Sequence, residues 1–366
     1  MKINQIISVL ESIAPISYQE AYDNSGLLTG SNETDCSGVL CTLDATEEVI
    51  KEAITKGCNL VVAHHPILFK GITKINGKNY VERALILAIK NDIAIYAMHT
   101  NLDNIFEGVN NTIAQKLGLI NTKILMPTSK NLVKLVTFAP KKYSNNILEA
   151  LFEAGAGNIG NYSEASYSVE GEGTFKGSEK SNPTIGEKGR RTTINEKRIE
   201  VILPYYLQEK VVSALKKAHQ YEEVAYDLIP LNNENQLVGG GMIGDLKEEM
   251  NEINFLEQVK AAFGLKVIKH TTLLNKKINK VAICGGAGSF LIPFAKAAKA
   301  DIFISSDFKY HEFFDAENQL VIADIGHWES EQYTTDLVFA ILTTKFPNFA
   351  VLKTAINTNP VCYFLG

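Results

Sequence analysis

The chain has 366 residues, of which 45% are hydrophobic and 21% are charged, and its formal net charge is -5 at pH 7. This length is too great for one ordinary hydrophobic core, so we expect more than one domain in a globular protein. The acidic balance argues against a broad nucleic-acid surface, which needs clustered Lys and Arg. No apolar run approaches the ~20 residues that span a bilayer, and the N-terminus does not resemble a secretion signal, so we expect a cytoplasmic protein without a membrane partner.

The first part of the chain alternates predicted helices and strands. Apolar side chains recur at helical spacing from Ile3 to Ile13, and Pro15 ends that pattern, so the chain opens with an amphipathic helix. The DNSG segment that begins at Asp23 is typical of a turn. Three short apolar strands follow, with helices between them, over residues 38–43, 59–63 and 93–98.

Polar side chains follow each of these three strands. They are Asp44, the pair His64 and His65, and His99 with Asp103. Ligands bind at the carboxyl ends of strands in open α/β sheets, and neutral imidazole is a common metal ligand, so these positions predict a metal site. Successive strand side chains point to opposite faces. The two imidazoles therefore serve one site only if the chain turns at Pro66, or each of them binds a different ion.

A change of pattern near residue 130 predicts a separate module. The order of strands and helices there is β-α-β followed by β-α-β, which is typical of a ferredoxin-like fold. Residues 171–191 are rich in Gly, Ser and Lys and are expected to form an exposed loop. No catalytic grouping is evident, and we interpret the polar segment from His219 to Glu223 as a structural turn.

The last part of the chain returns to α/β alternation. A buried strand runs into GGAGS at residues 285–289, where backbone amides could hold an anion, although the segment matches neither a Walker loop nor a full dinucleotide motif. Asp307 and His311 follow another strand. His327 and Glu331 are four residues apart, so on a helix they share one face. The terminal VLKT and VCYFL segments are predicted to be closing strands without a catalytic role.

The paired histidines, the loop aspartate and the histidine–glutamate pair supply three imidazoles and two carboxylates. Mixed nitrogen and oxygen ligands suit Zn, Mn or Fe, and the lack of cysteines at metal-binding spacing argues against a closed structural zinc site. Five such ligands exceed what one open catalytic zinc takes, so two divalent ions about 3.5–4 Å apart fit better. The alternative is that the histidine–glutamate pair lies on a helix surface and the paired histidines are a hydrogen-bonded strand end.

Five motifs, in this order, resemble the dinuclear-metal family of GTP cyclohydrolase I type 2 homologues, also called NIF-three-like proteins. The motifs are VVAHHPILFKG, MHTNLD, GGAGS, SSDFKYHEFFDA and GHWESEQ. The resemblance covers nearly the whole chain and implies these metal ligands: His64, His65, Asp103, His327 and Glu331. The chain departs from the family pattern at Tyr22, where tryptophan is more common, and at Gln220, where proline is more common. Neither position is a ligand.

The resemblance also implies the architecture. We expect two interlocked α/β halves with mixed sheets that form one core, plus an inserted ferredoxin-like, PII-like α+β module. The predicted boundaries are residues 1–128 for the first half, 129–232 for the module and 233–366 for the second half. Family members form ring-shaped hexamers with metal sites that face an internal cavity, and we expect a homo-hexamer here.

The activity that the family name implies is hydrolytic opening of the imidazole ring of GTP with release of formate. Glu331 is the candidate bridging carboxylate and catalytic residue. The side chains expected to support the ligands or to transfer protons are Asp44, His99, Asp307 and His311. Two alternatives stay open, namely a phosphoesterase acting on a nucleotide or other small molecule, and a non-enzymatic metal-binding or regulatory hexamer.

Overall fold

The computed structural model describes residues 1–364. Its α-helices are α1 (Ile3–Ile13), α2 (Glu47–Thr55), α3 (Tyr80–Lys90), α4 (Thr100–Asp103), α5 (Val109–Leu117), α6 (Ser144–Glu153), α7 (Gln208–Ala218), α8 (Glu252–Phe263), α9 (Ile292–Ala297), α10 (His327–Glu331) and α11 (Thr334–Lys345). Short 3₁₀ helices occupy Ile16–Tyr18, Lys141–Tyr143, Tyr205–Leu207, Ser289–Leu291 and Tyr310–Ala316.

The strands are β1 (Gly26–Thr29), β2 (Val39–Asp44), β3 (Leu60–His65), β4 (Ala94–Ala97), β5 (Ile120–Ser129), β6 (Leu132–Pro140), β7 (Ser166–Lys176), β8 (Arg191–Pro204), β9 (Tyr226–Leu231), β10 (Glu234–Asn251), β11 (Lys269–His270), β12 (Lys277–Ala287), β13 (Ile302–Ser306), β14 (Val321–Asp324) and β15 (Val351–Lys353). The chain divides into two compact units, one of residues 128–236 and one of the residues before and after them.

The larger unit contains two mixed sheets. The first has the strand order β1-β4-β3-β2-β15, and the second has the order β11-β14-β13-β12-β10-β5. The central strands β2, β3 and β4 are parallel and almost wholly buried, as expected for apolar runs covered on both faces. Parallel strands end at the same edge of a sheet, so β2 and β3 deliver Asp44 and the paired histidines to one place.

Each chain half supplies an edge strand to the sheet of the other half. Strand β5 from the first half pairs into the second sheet, and β15 from near the C-terminus lies parallel to β2 in the first sheet. One hydrophobic core runs through both halves, from Ile3 in α1 to Val351 in β15. The prediction of two interlocked halves around one core is confirmed.

The smaller unit is ferredoxin-like, as predicted. Its elements follow the order β6, α6, β7, β8, α7, β9, and its antiparallel sheet has the order β7-β8-β6-β9. Alternate apolar residues of β6 and β8 pack under the two helices, together with Ile147 and Leu151 of α6 and Val211 and Leu215 of α7. The alternation along these strands gives the sheet one apolar face, which the helices bury.

Two stretches of the chain differ from expectation. Residues 171–176, expected in a loop, continue strand β7, which pairs with β8 from Ser166 to Lys176. This strand is mostly exposed on both faces, so no apolar alternation could predict it. VLKT contributes β15, whereas residues 361–364 of VCYFL form no strand and residue 365 lies outside the described part of the chain. No helix among residues 1–364 is long and apolar enough to cross a membrane.

Candidate metal centre

The structure brings the five predicted ligands together around one carboxylate. His64 and His65 end β3, Asp103 ends α4 just after β4, and His327 and Glu331 begin and end α10 after β14. One carboxylate oxygen of Glu331, Oε2, lies 2.9 Å from His65 Nε2 and 3.2 Å from His327 Nε2. The same oxygen lies 3.7 Å from His64 Nε2. Residues from both chain halves therefore meet at Glu331.

His64, Asp103 and Glu331 form the first group of close ligand atoms. The buried His64 donates from Nδ1 to the carbonyl of Met98 at 2.7 Å, which leaves Nε2 directed at the group. His64 Nε2 lies 3.7 Å from Asp103 Oδ1, and both atoms are buried without a hydrogen-bond partner. Such unpartnered atoms are rare because they are costly. A cation coordinated by both atoms would satisfy them, so the residues fit a metal ion.

His65, His327 and Glu331 form the second group. Asp44 Oδ1 accepts a hydrogen bond from His65 Nδ1 at 2.7 Å, and Asp307 Oδ2 accepts one from His327 Nδ1 at 2.6 Å. The two Nε2 atoms lie 3.2 Å apart beside Glu331. A carboxylate that holds one ring nitrogen fixes the imidazole and makes the other nitrogen a better metal ligand. Asp44 and Asp307, two of the candidate supporting residues, thus each accept a hydrogen bond from the Nδ1 atom of a predicted ligand.

Both imidazoles of the second group have a raised pKa when no metal is bound. Burial alone would lower the pKa of His65, but hydrogen bonds with Asp44 and Glu331 raise it to about 9. Burial opposes the charge of His327 in the same way, but Asp307 and Glu331 raise its pKa to about 11. An ion that binds Nε2 of either ring must therefore displace a proton.

The two carboxylates at the centre shift in opposite directions. Burial, and then the neighbouring charge of Glu331, raise the pKa of Asp103. Burial alone would raise the pKa of Glu331 as well, but the surrounding imidazoles, His64 foremost, hold it well below its ordinary value. Glu331 is thus the group that keeps its negative charge at the centre of the cluster.

The glycines of GGAGS provide space for Glu331. A Cβ atom on Gly286 would lie 2.3 Å from Glu331 Oε1, and its φ of +61° favours glycine. The amide of Gly285 donates to Asn110 Oδ1 and that of Gly286 to Ser330 Oγ. These amides already have partners within the protein, and the α-helix that follows has only six residues. The geometry favours a packing role over anion binding.

His99 lies beside the paired histidines and is held by Asp23, which the DNSG pattern predicts only as part of a turn. Its ring centroid is 5.4 Å from that of His64 and 5.5 Å from that of His65. His99 Nδ1 donates to Asp23 Oδ1 at 2.7 Å, and the Asp23 side chain is fully buried. Burial alone would raise the pKa of Asp23, but hydrogen bonds from His99 and Thr100 lower it well below its ordinary value.

The structure does not bring His311 to the cluster. Asp307 has a left-handed backbone with a φ of 57°, which turns the chain directly after β13. Asp307 stays beside His327, whereas His311 lies exposed on the following 3₁₀ helix. Its ring packs against Tyr310 and Phe314, with centroids 5.2 and 6.3 Å away. Asp307 and His311 follow the same strand in the sequence, and Asp307 is the one of the two that contacts a predicted ligand.

A cavity of about 850 Å³ opens over both groups. Its lining includes His65, His99 and His327, and the aromatic side chains Tyr22, Phe69, Phe290, Trp328 and Tyr363. This volume is in the range of pockets that take small organic ligands. The aromatic lining suits a planar group.

Fold and site together define a class, namely an α/β protein with an inserted ferredoxin-like module and a buried histidine–carboxylate cluster that could bind metal. The family model described as Duf34/NIF3 (NGG1p interacting factor 3) matches residues 1–360. The chain belongs to this family.

Similar proteins agree with this assignment. A Halalkalibacterium halodurans protein named GTP cyclohydrolase 1 type 2 homolog is 39% identical over 363 residues, which is 98% of each chain. A Bacillus subtilis protein of the same name is 37% identical over 366 residues, again 98% of each. The crystal structure of a Bacillus cereus protein related to NIF3 superposes with a TM-score of 0.87 at 38% identity, and covers 100% of this chain and 99% of that one.

Proposed function

We propose that the protein is a dinuclear metal-dependent hydrolase. The observation that carries this proposal is the position of Glu331, which belongs to two groups of close ligand atoms. In the proposal, His64, Asp103 and Glu331 hold one divalent ion. His65, His327 and Glu331 hold the other, so Glu331 bridges the two. Nitrogen and oxygen donors of this kind suit Zn, Mn or Fe.

Divalent ions at such a site lower the pKa of water and polarise the group under attack. The chain's own residues would then orient the ligands and move protons. Asp44 and Asp307 hold the His65 and His327 rings by their Nδ1 atoms. Asp23 holds His99 in the same manner, and His99 lines the cavity, so its Nε2 is our candidate for passing a proton to a leaving nitrogen.

The reaction we propose is hydrolytic opening of the imidazole ring of GTP. Two water molecules are consumed. The first opens one of the two C–N bonds of the ring carbon between the nitrogens and leaves a formyl group on the other nitrogen; the second cleaves that remaining bond, so the carbon leaves as formate and both nitrogens carry protons. The names of the relatives and the cavity with its aromatic lining support this choice. We further propose that the protein is cytoplasmic and that it forms a homo-hexamer. Light scattering on purified protein would test the hexamer.

Formate release from GTP by protein loaded with Zn, Mn or Fe tests the proposed reaction. We expect release by wild-type protein and none by Glu331→Gln, while Glu257→Gln, which changes an exposed glutamate of α8 outside both groups and outside the cavity lining, stays active. Release of phosphate without formate would instead identify a phosphoesterase. Two bound ions per chain with no turnover in a broad metabolite screen would contradict the hydrolase and favour a metal-handling protein.

A further inference from the structure

The segment after β15 reaches the metal centre because of the sheet order. Strand β15 is parallel to β2, with Val351 opposite Val39 and Lys353 opposite Cys41. Parallel neighbours leave a sheet at the same edge, and β2 ends at Asp44. Residues 355–364 have no regular secondary structure and follow that edge.

Hydrogen bonds to Glu52 anchor the start of this segment. The hydroxyl of Thr354 donates to a carboxylate oxygen of Glu52 in α2, and the amide of Ala355 donates to the other oxygen at 2.9 Å. Glu52 also pairs with Lys56 at 2.6 Å. This anchor involves none of the groups around Glu331.

Thr358 connects the two sides of the site. Its hydroxyl donates to Asp44 Oδ2 at 2.5 Å and accepts a hydrogen bond from Trp328 Nε1 at 3.2 Å. The other oxygen of Asp44 holds His65 Nδ1. Trp328 directly follows His327 in α10. One threonine hydroxyl therefore serves as donor and acceptor between the carboxylate behind His65 and the helix that carries His327.

Two further side chains of the segment hold α10. Asn359 Nδ2 donates to Glu329 Oε1 at 3.0 Å, and the Tyr363 hydroxyl donates to the same oxygen at 3.2 Å. Glu329 is buried and lies between His327 and Glu331 in the sequence. Asn359 and Tyr363 also line the cavity. The segment therefore forms part of the cavity wall.

We propose that Thr358 is a positioning residue of the metal centre. It fixes the carboxylate of Asp44 and thereby the orientation of the His65 ring. This inference rests on the proposed dinuclear site and extends it to the C-terminal segment. The competing explanation is that the hydrogen bonds of Thr358 only hold the C-terminal segment in place. Removing them would then lower the stability of the fold but leave the metal affinity unchanged.

The test compares three variants of the full-length protein. Thr358→Val removes the hydroxyl and keeps the shape, Thr358→Ser keeps the hydroxyl, and Thr354→Val makes the same change at the Glu52 anchor in the same segment. The affinity for Zn²⁺ is measured by competition with a chromophoric chelator. Loss of a residue that orients a ligand costs about 10- to 100-fold in metal affinity. We expect that loss for one ion in Thr358→Val, and wild-type affinity in the other two variants.

Tryptophan fluorescence supplies a second readout, because Trp328 is the only tryptophan in the chain. Its indole N–H donates to the Thr358 hydroxyl, so Thr358→Val should shift the emission maximum. Thr358→Ser and Thr354→Val should not. These spectra show whether the contact exists in solution, independently of any metal or activity.

The outcomes separate this inference from the proposed function. Wild-type protein that binds fewer than two ions contradicts the dinuclear site itself. If wild-type protein binds two ions, wild-type affinity in Thr358→Val overturns the positioning role. Equal losses in Thr358→Val and Thr354→Val, or in Thr358→Val and Thr358→Ser, overturn it too, because the effect would then not depend on this hydroxyl. An unchanged emission in Thr358→Val would also overturn it.

Discussion

The two ligand groups that share Glu331 are built from similar residues but are supported differently. In the first group, the His64 ring is held by a backbone carbonyl, and two buried ligand atoms have no partner. In the second group, both rings are held by carboxylates and both imidazoles are made more basic. The comparison indicates that the residue types of the ligands alone do not determine the chemistry of a metal site. The residue that accepts the hydrogen bond from Nδ1 of each ring matters as much.

Loss of the shared carboxylate should have the largest effect. Glu331→Gln removes a charged ligand from both groups, so we expect bound metal to fall from about two ions per chain to about none. Elemental analysis after dialysis measures this. Glu257→Gln should keep both ions, since this exposed side chain of α8 lies outside both groups. Retention of one ion by Glu331→Gln would show that the two groups do not depend equally on this carboxylate.

Loss of one imidazole should affect one group. We expect His64→Ala and His327→Ala each to retain about one ion, because each histidine belongs to a single group that includes Glu331. Isothermal titration with Mn²⁺ gives the stoichiometry. His311→Ala is the matched control, as its ring lies exposed outside the cluster. If either variant lost both ions, the groups would not act as separate sites.

Removing a supporting charge should have a smaller effect, confined to the second group. Asp307→Asn keeps the shape but weakens the support of His327, so the affinity for one ion should fall about 10- to 100-fold. Chelator competition resolves the two affinities. Asp336→Asn, which changes a surface pair with Lys353, should leave both unchanged. An equal loss at both ions would contradict the assignment of Asp307 to the second group.

The smallest effect concerns pH. His65 and His327 have a folded-state pKa of about 9 and about 11, above the ordinary value of 6.5, so the folded metal-free protein binds more protons than the unfolded chain. Their stabilising contribution is fully present below about pH 6.5 and is lost as the pH rises through 9 toward 11. The thermal midpoint of chelator-treated protein should therefore fall over this range.

Metal-loaded protein is the control for that decline. Bound ions replace the protons on Nε2, so its midpoint should change less over the same pH range. A chelator-treated protein whose midpoint is flat or rises between pH 6.5 and 9 would show that these imidazoles are not protonated in the fold. His65→Ala in chelator should show a shallower decline than wild type.

The sequence was most informative where a local pattern coincides with a ligand. Buried strands can be predicted from apolar runs, so the positions of His64 and His65 at a strand end followed directly. The spacing of His327 and Glu331 placed both on one helical face, and α10 has that geometry. The ferredoxin-like module could likewise be predicted from the order of its elements.

The sequence was least informative where contacts are distant along the chain. Thr358 and Asp44 are 314 residues apart, and no periodicity marks a threonine in an irregular segment. Asp23 lies in a turn whose composition is explained by turn chemistry alone, so its bond to His99 could not be foreseen. The exchange of β5 and β15 between sheets also depends on pairing between remote strands, which local propensity does not determine.

The separation of 266 residues between His65 and Glu331 has a consequence for biosynthesis. The ribosome synthesises His64 and His65 long before Glu331, the glutamate that both ligand groups share. During that interval the nascent chain carries imidazoles without their common carboxylate, and β2 has no β15 beside it. The metal centre can close only after Glu331 has been synthesised, 266 residues after His65. Ion capture that needs the shared carboxylate would then wait for the second chain half, and it would link two segments that are made far apart in time.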